Sequence, residues 1–206
     1  MRTAVMTLAL LVLVAAPAKA EPGTFFIVEG GIGFSAADAF PEGPSGMLGT
    51  VTLGAGGKPK GMPLRFYGIL NLGWAALETD QTSATERAVV RRDTFAWSAG
   101  LRIYVPIASR LRFFADVTFG GFAVETEALL GGGTERLTSD DGSFLVSFAA
   151  GIQWRFTRWF SLGARIESLI PTGLDSFDPI AEAAGAASAD AGIANYGFSL
   201  TATIHL

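Results

Sequence analysis

Eight charged side chains, five arginines and three carboxylates, each stand alone among apolar or small residues. Inside a narrow space such charges could lock a fold through ion pairs, or could line a pore that selects ions by sign. Burying a charge is costly unless it is paired and hydrogen-bonded, so we predict that the carboxylates bridge the arginines. The excess of arginine makes an anion-biased pore the alternative. The predicted network, with one amide added, comprises Glu29, Arg65, Asn71, Arg102, Arg112, Asp116, Arg155, Arg165 and Glu167.

Residue types that support covalent catalysis are scarce. The chain has one His and no Cys, which excludes disulfides, thiolate metal sites and thiol nucleophiles. General-base chemistry at His205 would require a serine and an acid within hydrogen-bonding reach. We interpret His205 as a polar residue of an interior surface or as part of an assembly signal. The sequence predicts no enzyme activity, no cofactor and no metal site.

Alternation of apolar with small or polar residues predicts the elements that must position these side chains. Side chains of a strand point to opposite faces in turn, so a period of two indicates a strand. Each predicted segment matches or exceeds the roughly 9–11 residues with which a tilted strand crosses a bilayer. The predicted strands are 24–34, 46–56, 63–77, 94–105, 111–124, 144–156, 159–170 and 193–206.

The connections between these segments alternate in length. Those at 35–45, 78–93, 125–143 and 171–192 are long, whereas those within 57–62, 106–110 and 157–158 are short. Long loops at one end and short turns at the other, with both termini on the short side, are typical of outer-membrane barrels. The pattern predicts an all-β fold: a closed eight-stranded antiparallel up-and-down transmembrane β-barrel.

Sorting the residues of each segment into odd and even positions, which we call their parity, separates an apolar face from a face of small, polar and charged residues. Leu101 and Arg102, for example, fall on opposite faces. A soluble exterior would carry about 25–35% charged residues, but the polar parity is rich in Gly, Ala, Ser and Thr and suits a narrow lumen. We therefore predict that the apolar face contacts lipid. Two pairs of tryptophans, near opposite ends of the strands, are predicted to form aromatic girdles: Trp74 and Trp97, and Trp154 and Trp159.

The first 20 residues have the pattern of a secretory signal. Arg2 supplies a positive start, residues 4–16 are nearly all apolar, and Ala18-Lys19-Ala20 matches the small-x-small motif before a cleavage site. We predict a cleaved signal peptide at 1–20 and an outer-membrane β-barrel domain at 21–206. Loss of Arg2 and Lys19 changes the formal net charge from −4 to about −6, which disfavours nucleic acid as a partner.

The final segment, YGFSLTATIHL, alternates as far as the last residue and is predicted to close the barrel by pairing with the first strand. With this final segment and its alternation of long and short connections, the chain resembles the small OmpA/OmpX-like outer-membrane β-barrels. The resemblance covers essentially all residues after 20. In that superfamily the last strand is read by the barrel-assembly machinery and usually ends in Phe, where this chain has Leu. The residues of this predicted assembly signal are Tyr196, Phe198, Leu200, Ile204 and Leu206.

The resemblance implies a monomer in the cell outer membrane that contacts membrane lipid and lipopolysaccharide, and that meets periplasmic chaperones and the barrel-assembly machinery during biogenesis. Some barrels of this architecture are lipid A acylases or deacylases, which need His, Ser and an acid near the outer leaflet, whereas His205 lies at the opposite end. We predict a structural or cell-surface interaction role with a plugged lumen. The alternative is a narrow porin-like channel. Arg87, Arg91 and Arg92 either bind lipopolysaccharide phosphates or belong to an ordinary charged loop.

Overall fold

In the computed structural model, eight antiparallel strands form a closed barrel in which each strand pairs with its sequence neighbours and the last pairs with the first. This confirms the predicted closed, up-and-down, eight-stranded fold. The structure describes residues 24–37, 45–82, 87–130, 135–172 and 195–206, so the predicted signal peptide lies outside the described residues. The strands are β1 Thr24–Ala37, β2 Ser45–Gly57, β3 Arg65–Thr82, β4 Arg87–Pro106, β5 Leu111–Leu130, β6 Glu135–Arg155, β7 Phe160–Thr172 and β8 Asn195–His205.

The described part of the chain contains no helix that is both long enough and apolar enough to span a bilayer.

The register inclines the strands strongly against the barrel axis. A path through paired residues that begins at Ile27 returns to β1 ten residues further along, at Ala37, by way of Gly54, Ile69, Gly100, Thr118, Ser147, Leu169 and Asn195. Closing a sheet with such a stagger requires strands tilted by roughly 35–45°. Eight strands at this tilt enclose an interior that side chains can fill, so residues from opposite sides of the barrel meet at its axis.

Four strands extend well beyond their predicted ends. β3, β4, β5 and β6 contain 18, 20, 20 and 21 residues. The prediction of loops is therefore wrong for residues 78–82, 87–93, 125–130 and 135–143, where backbone pairing continues, and the rest of the two predicted loops, 83–86 and 131–134, lies outside the described residues. These extensions are rich in polar residues and lack the apolar alternation, yet their backbone hydrogen bonds are satisfied by the neighbouring strand. The four strands form a sheet that projects past the ends of β2 and β7.

The short connections 58–64, 107–110 and 156–159 lie together at one end of the barrel, which we call the turn end; the opposite end is the loop end. In the first of them the amide of Met62 donates to the carbonyl of Pro59 at 3.2 Å. Gly61 has φ of 83°, the left-handed conformation that a type II turn requires at its third residue. The turn sequence GKPKGM therefore accounts for the tight reversal between β2 and β3.

The last strand is held on both sides. β8 pairs with β7 and with β1, which confirms the predicted closure. Its final residue, Leu206, exchanges two backbone hydrogen bonds with Phe26, at N–O distances of 3.1 and 2.8 Å, and the amide of His205 donates to the carbonyl of Trp159 at 2.9 Å. These bonds satisfy the backbone of the end residue and leave it no free edge.

Two glycines of β1 test whether the close approach of neighbouring strands requires a residue without a Cβ atom. A Cβ at the inward-facing Gly33 would overlap the carbonyl oxygen of Phe198, whereas a Cβ at the outward-facing Gly30 would meet no atom within 4 Å. We expect Gly33→Ala to lower the free energy of unfolding by about 1–3 kcal/mol, because the β1–β8 backbone must shift. Gly30→Ala is expected to be neutral or stabilising by up to about 1 kcal/mol. Urea unfolding in micelles, followed by tryptophan fluorescence, measures both, and equal losses would contradict the requirement for close strand approach.

Candidate functional site in the barrel interior

The barrel turns its apolar face outward and its charges inward. Ile32 is 71% exposed and Leu200 is 61% exposed, whereas Arg102 is 0% exposed. This confirms the predicted sidedness for the described strands. Large exposed apolar side chains occur on every strand: Phe26, Ile32 and Phe34 of β1; Met47 of β2; Leu70 and Trp74 of β3; Phe95, Trp97, Leu101 and Val105 of β4; Phe113, Val117 and Phe119 of β5; Phe144, Phe148, Ile152 and Trp154 of β6; Leu162, Ile166 and Ile170 of β7; and Tyr196, Phe198 and Leu200 of β8.

Arg102 is the centre of the interior network. Its Nε and Nη2 donate to the two carboxylate oxygens of Asp116 at 2.7 and 2.8 Å. Its Nη1 and Nη2 donate to the two carboxylate oxygens of Glu29 at 3.0 and 2.9 Å, and Nη1 also donates to the Tyr104 hydroxyl at 3.1 Å. All five guanidinium N–H groups are therefore engaged, four of them in two bidentate pairs, the strongest geometry available to this side chain.

Glu29 links β1 to strands on the far side of the barrel. Besides Arg102, its Oε2 accepts hydrogen bonds from the Gln153 amide at 2.6 Å and from the Thr203 hydroxyl at 2.8 Å. The same amide of Gln153 donates to Thr203 Oγ1 at 2.8 Å. One carboxylate thus connects β1, β4, β6 and β8, and its charge is matched by several donors rather than by a single one.

A second arginine extends the network. Arg165 Nε donates to Glu167 Oε2 at 2.9 Å, and its Nη1 lies 3.2 Å from Asp116 Oδ2 and 3.7 Å from Glu29 Oε1. The prediction that carboxylates bridge the arginines is confirmed for Arg102 and Arg165. All five charged residues of this cluster are buried, so the network is a continuous ionic layer across the lumen.

Asn71 faces inward and is buried, but neither atom of its amide has a hydrogen-bond partner. The prediction that Asn71 belongs to the network is thus wrong. Its side chain lines a small cavity of about 20 Å³ beside Thr50, Ser98 and Glu167. Parity placed the residue on the correct face but could not determine its height or its neighbours across the lumen, because these depend on the tilt of the strands.

Two apolar layers lie on either side of the ionic layer, and the sequence analysis did not predict them. The layer toward the turn end contains Ile27, Tyr67, Ile69, Tyr104 and Phe114. The layer toward the loop end contains Leu48, Ala75, Leu77, Ala96, Phe122, Val124 and Leu145. The adjacent pair Phe113-Phe114 is a sequence signal for the first layer, because two consecutive strand residues cannot both face outward.

Aromatic rings of the turn-side layer contact the ionic layer directly. The guanidinium carbon of Arg102 lies 4.3 Å from the ring centroid of Phe114, within cation–π range. Tyr104 packs edge-on against Tyr67 with centroids 5.4 Å apart. These rings separate the ionic layer from the turn end and help to desolvate Arg102.

The other predicted network arginines lie at the turn end. Arg65, Arg112 and Arg155 line a cavity of about 380 Å³, with Tyr104 among its other lining residues. The prediction of carboxylate bridging is wrong for Arg112 and Arg155, since among the described residues neither forms an ion pair with a carboxylate. The tilt of the strands separates them from the ionic layer although they share its parity.

His205 lies inside the barrel near this cluster and is hydrogen-bonded to a serine. The Ser161 hydroxyl is 2.8 Å from His205 Nε2, and both residues are buried. No carboxylate among the described residues is hydrogen-bonded to His205, so these residues do not assemble a Ser–His–acid triad. Sequence spacing did not reveal the contact, because Ser161 and His205 meet only through the pairing of β7 with β8.

The four tryptophans all point outward, with exposed fractions from 44% at Trp74 to 55% at Trp159. The indole ring of Trp74 packs over Gly49, and the indole ring of Trp97 packs over Gly121. A Cβ atom at either glycine would overlap the ring. Trp154 is at the end of β6 and Trp159 in the turn that follows. Their role as lipid–water girdles remains a prediction, as does the assembly-signal role of Tyr196, Phe198, Leu200, Ile204 and Leu206.

The extended hairpin of β3 and β4 contains all three arginines for which phosphate binding is one alternative, and the first of them, Arg87, begins β4. Arg91 is exposed, and its Nε lies 3.2 Å from Glu78 Oε2. Arg92 faces the interior and is buried, which is not the position of a residue in an ordinary charged loop, and lipopolysaccharide binding by these arginines stays a hypothesis. Strand alternation, hidden by the charged sequence TERAVVRRD, explains why neighbouring arginines point in opposite directions.

No protein-family model and no curated protein matches the chain. Similar solved structures include Ail, the attachment invasion locus protein of Yersinia pestis, with 12% identity and a TM-score of 0.48 over 89% of this chain and 99% of that one. A major outer membrane protein from Thermus thermophilus has 12% identity and a TM-score of 0.49 over 89% and 99%. The outer membrane enzyme PagL has 16% identity and a TM-score of 0.44 over 86% and 98%. Similarities this low carry no argument about function, which depends on the geometry of this barrel itself.

Proposed function

We propose that this protein is an integral outer-membrane β-barrel with a closed lumen and a structural or interactive role at the cell surface. The observation that carries the proposal is the inverted distribution of polarity: large apolar side chains are exposed on all eight strands while Arg102, Glu29 and Asp116 are buried. Soluble monomers rarely expose apolar patches larger than a few hundred square ångströms. A bilayer is the solvent in which this exterior is stable, and a closed barrel leaves no unpaired strand edge in it.

The packing of the interior supports a plugged lumen rather than a pore. The ionic layer, filled by Arg102 and its partners, is covered on both sides by apolar layers. Two small interior cavities, one beside Asn71 and Glu167 and one beside Ala75 and Asn195, have volumes of about 20 and 10 Å³, which is room for one water molecule each at most. An ion crossing this interior would have to break bidentate pairs that are already satisfied.

The projecting sheet of β3 to β6 supports a surface role. β6 pairs with β5 as far as Glu135, whereas its last pairing with β7 is at Phe144. We place this sheet outside the cell, where it would contact lipopolysaccharide or a protein partner, after insertion by the barrel-assembly machinery with periplasmic chaperones. No enzyme activity is part of the proposal.

Reconstitution into lipid vesicles and planar bilayers tests both parts of the proposal. We expect the refolded protein to insert, to migrate differently on gels before and after heating, and to produce no single-channel current. A variant that removes three of the five charges of the ionic layer, Arg102→Ala with Glu29→Ala and Asp116→Ala, is the matched comparison for the lumen, because it keeps the outward face unchanged. Current steps from the unaltered protein would establish the narrow channel instead, and failure to insert would contradict the membrane assignment.

A further inference from the structure

The turn-end cavity is a feature that the closed-lumen proposal does not use. It has a volume of about 380 Å³ and is lined by the cationic residues Lys58, Arg65, Arg112 and Arg155 and by Ser109, among others. It is separated from the ionic layer by the aromatic rings of the turn-side layer, of which Tyr104 also lines the cavity. The cavity is therefore a distinct space, open at the turn end and closed toward the lumen.

The cations of this cavity are close to one another. Arg112 and Arg155 line the same cavity, together with Arg65 and Lys58. The described residues of the surrounding segments, 56–66, 104–114, 153–162 and 203–206, include no Asp or Glu. Arg112 and Arg155 form no ion pair with a carboxylate among the described residues, and two guanidinium groups in one confined space repel each other unless an anion compensates them.

Two of these arginines are held in place by the fold. Arg155 Nε donates to the carbonyl of Thr157 at 2.9 Å, and its Nη2 donates to the carbonyl of Arg158. These bonds use one side of the guanidinium, and its remaining N–H groups have no hydrogen-bond partner among the described residues. Arg112 is 8% exposed and emerges from the barrel wall into the cavity. Side chains restrained in this way lose little further freedom when a ligand binds.

We propose that the turn-end cavity binds a phosphate-bearing anion, which is either a free phosphate compound or the headgroup of an anionic phospholipid. A free phosphate carries close to two negative charges and a phospholipid phosphodiester carries one, and each presents at least two terminal acceptor oxygens, so either can pair with two guanidinium groups at once. Arginine forks bind such oxygens in bidentate fashion, and Lys58 and Ser109 supply further donors. The inference depends on the closed barrel and its turns, and does not rest on membrane insertion.

Calorimetric titration of the refolded full chain in a non-ionic detergent, at constant ionic strength, tests this site. Sodium pyrophosphate is the free-anion probe, and dihexanoyl phosphatidylglycerol, compared with dihexanoyl phosphatidylcholine, is the lipid probe. We expect saturable binding that is weakened about tenfold or more by Arg112→Gln or Arg155→Gln, since each removes charge-assisted hydrogen bonds. Arg110→Gln is the matched control, because this exposed turn arginine loses the same charge without lining the cavity.

The two probes distinguish the sources of the phosphate. Pyrophosphate binding that depends on Arg112 assigns the site to a free anion, and binding of phosphatidylglycerol alone with the same dependence assigns it to a lipid headgroup. Arg112→Lys, which keeps the charge, should retain part of the affinity, and heat-modifiable migration of each variant shows that it is folded. Absence of binding by both probes would overturn the inference, as would an equal loss of affinity in Arg110→Gln.

Discussion

Replacing Arg102 with methionine is expected to lower the free energy of unfolding by about 3–5 kcal/mol, the usual cost of removing one partner from a buried ion pair. Methionine preserves most of the volume of the aliphatic stem but donates no hydrogen bond. Glu29 and Asp116 would then lose four charge-assisted hydrogen bonds in a site where both are buried. The destabilisation arises from these uncompensated carboxylates more than from the loss of an attraction.

Urea titration of refolded protein in micelles, with tryptophan fluorescence and gel migration as readouts, measures this change. Arg110→Met is the matched control, because its side chain is exposed at a turn, and it should change stability by less than about 0.5 kcal/mol. Adding Glu29→Gln and Asp116→Asn to Arg102→Met should recover part of the loss, since the two side chains that lose the guanidinium are then neutral, while Arg165 keeps its pair with Glu167. A loss no greater than that of Arg110→Met would show that the ionic layer does not stabilise the barrel.

Leu101 precedes Arg102 and lies on the opposite, outward face of β4. Leu101→Arg is expected to destabilise the membrane-inserted barrel by about 2–4 kcal/mol. Leu101 is 44% exposed and lies on β4 between Trp97 and the turn at 107–110, near the middle of the proposed membrane-spanning zone. An arginine at mid-depth on the lipid face must be dehydrated or must distort the bilayer. The measurement is folding into phosphatidylcholine vesicles, followed by the change in gel migration.

Val105→Arg is the matched control for this experiment. Val105 faces outward on the same strand, is 38% exposed and lies next to the turn end, where an arginine can reach the headgroups. Its cost should be about 0–1 kcal/mol. Equal costs at Leu101 and Val105 would contradict a bilayer around the barrel, and improved solubility of Leu101→Arg without detergent would indicate an aqueous exterior.

The sequence by itself determined the architecture and its sidedness. Alternation placed Leu101 outside and Arg102 inside, and the alternation of long and short connections predicted eight strands with the correct neighbours. These features depend only on local geometry, because successive side chains of a strand point to opposite faces whatever lies across the barrel. The same local rule did not predict the full length of β3 to β6, because their last residues pair through the backbone and lack the apolar alternation by which a strand is predicted.

Only the tertiary structure decided which interior side chains meet. Parity assigns a residue to the lumen, but its height and its partners across the barrel axis depend on the tilt of the strands. The register between β8 and β1 sets this tilt, because it places Ala37 at the level at which the path around the barrel began with Ile27. That displacement brings Glu29 to Arg102, leaves Arg112 and Arg155 at the turn end, and pairs Ser161 with His205. Closure of the sheet is a property of all eight strands together, so no single segment of the sequence contains it.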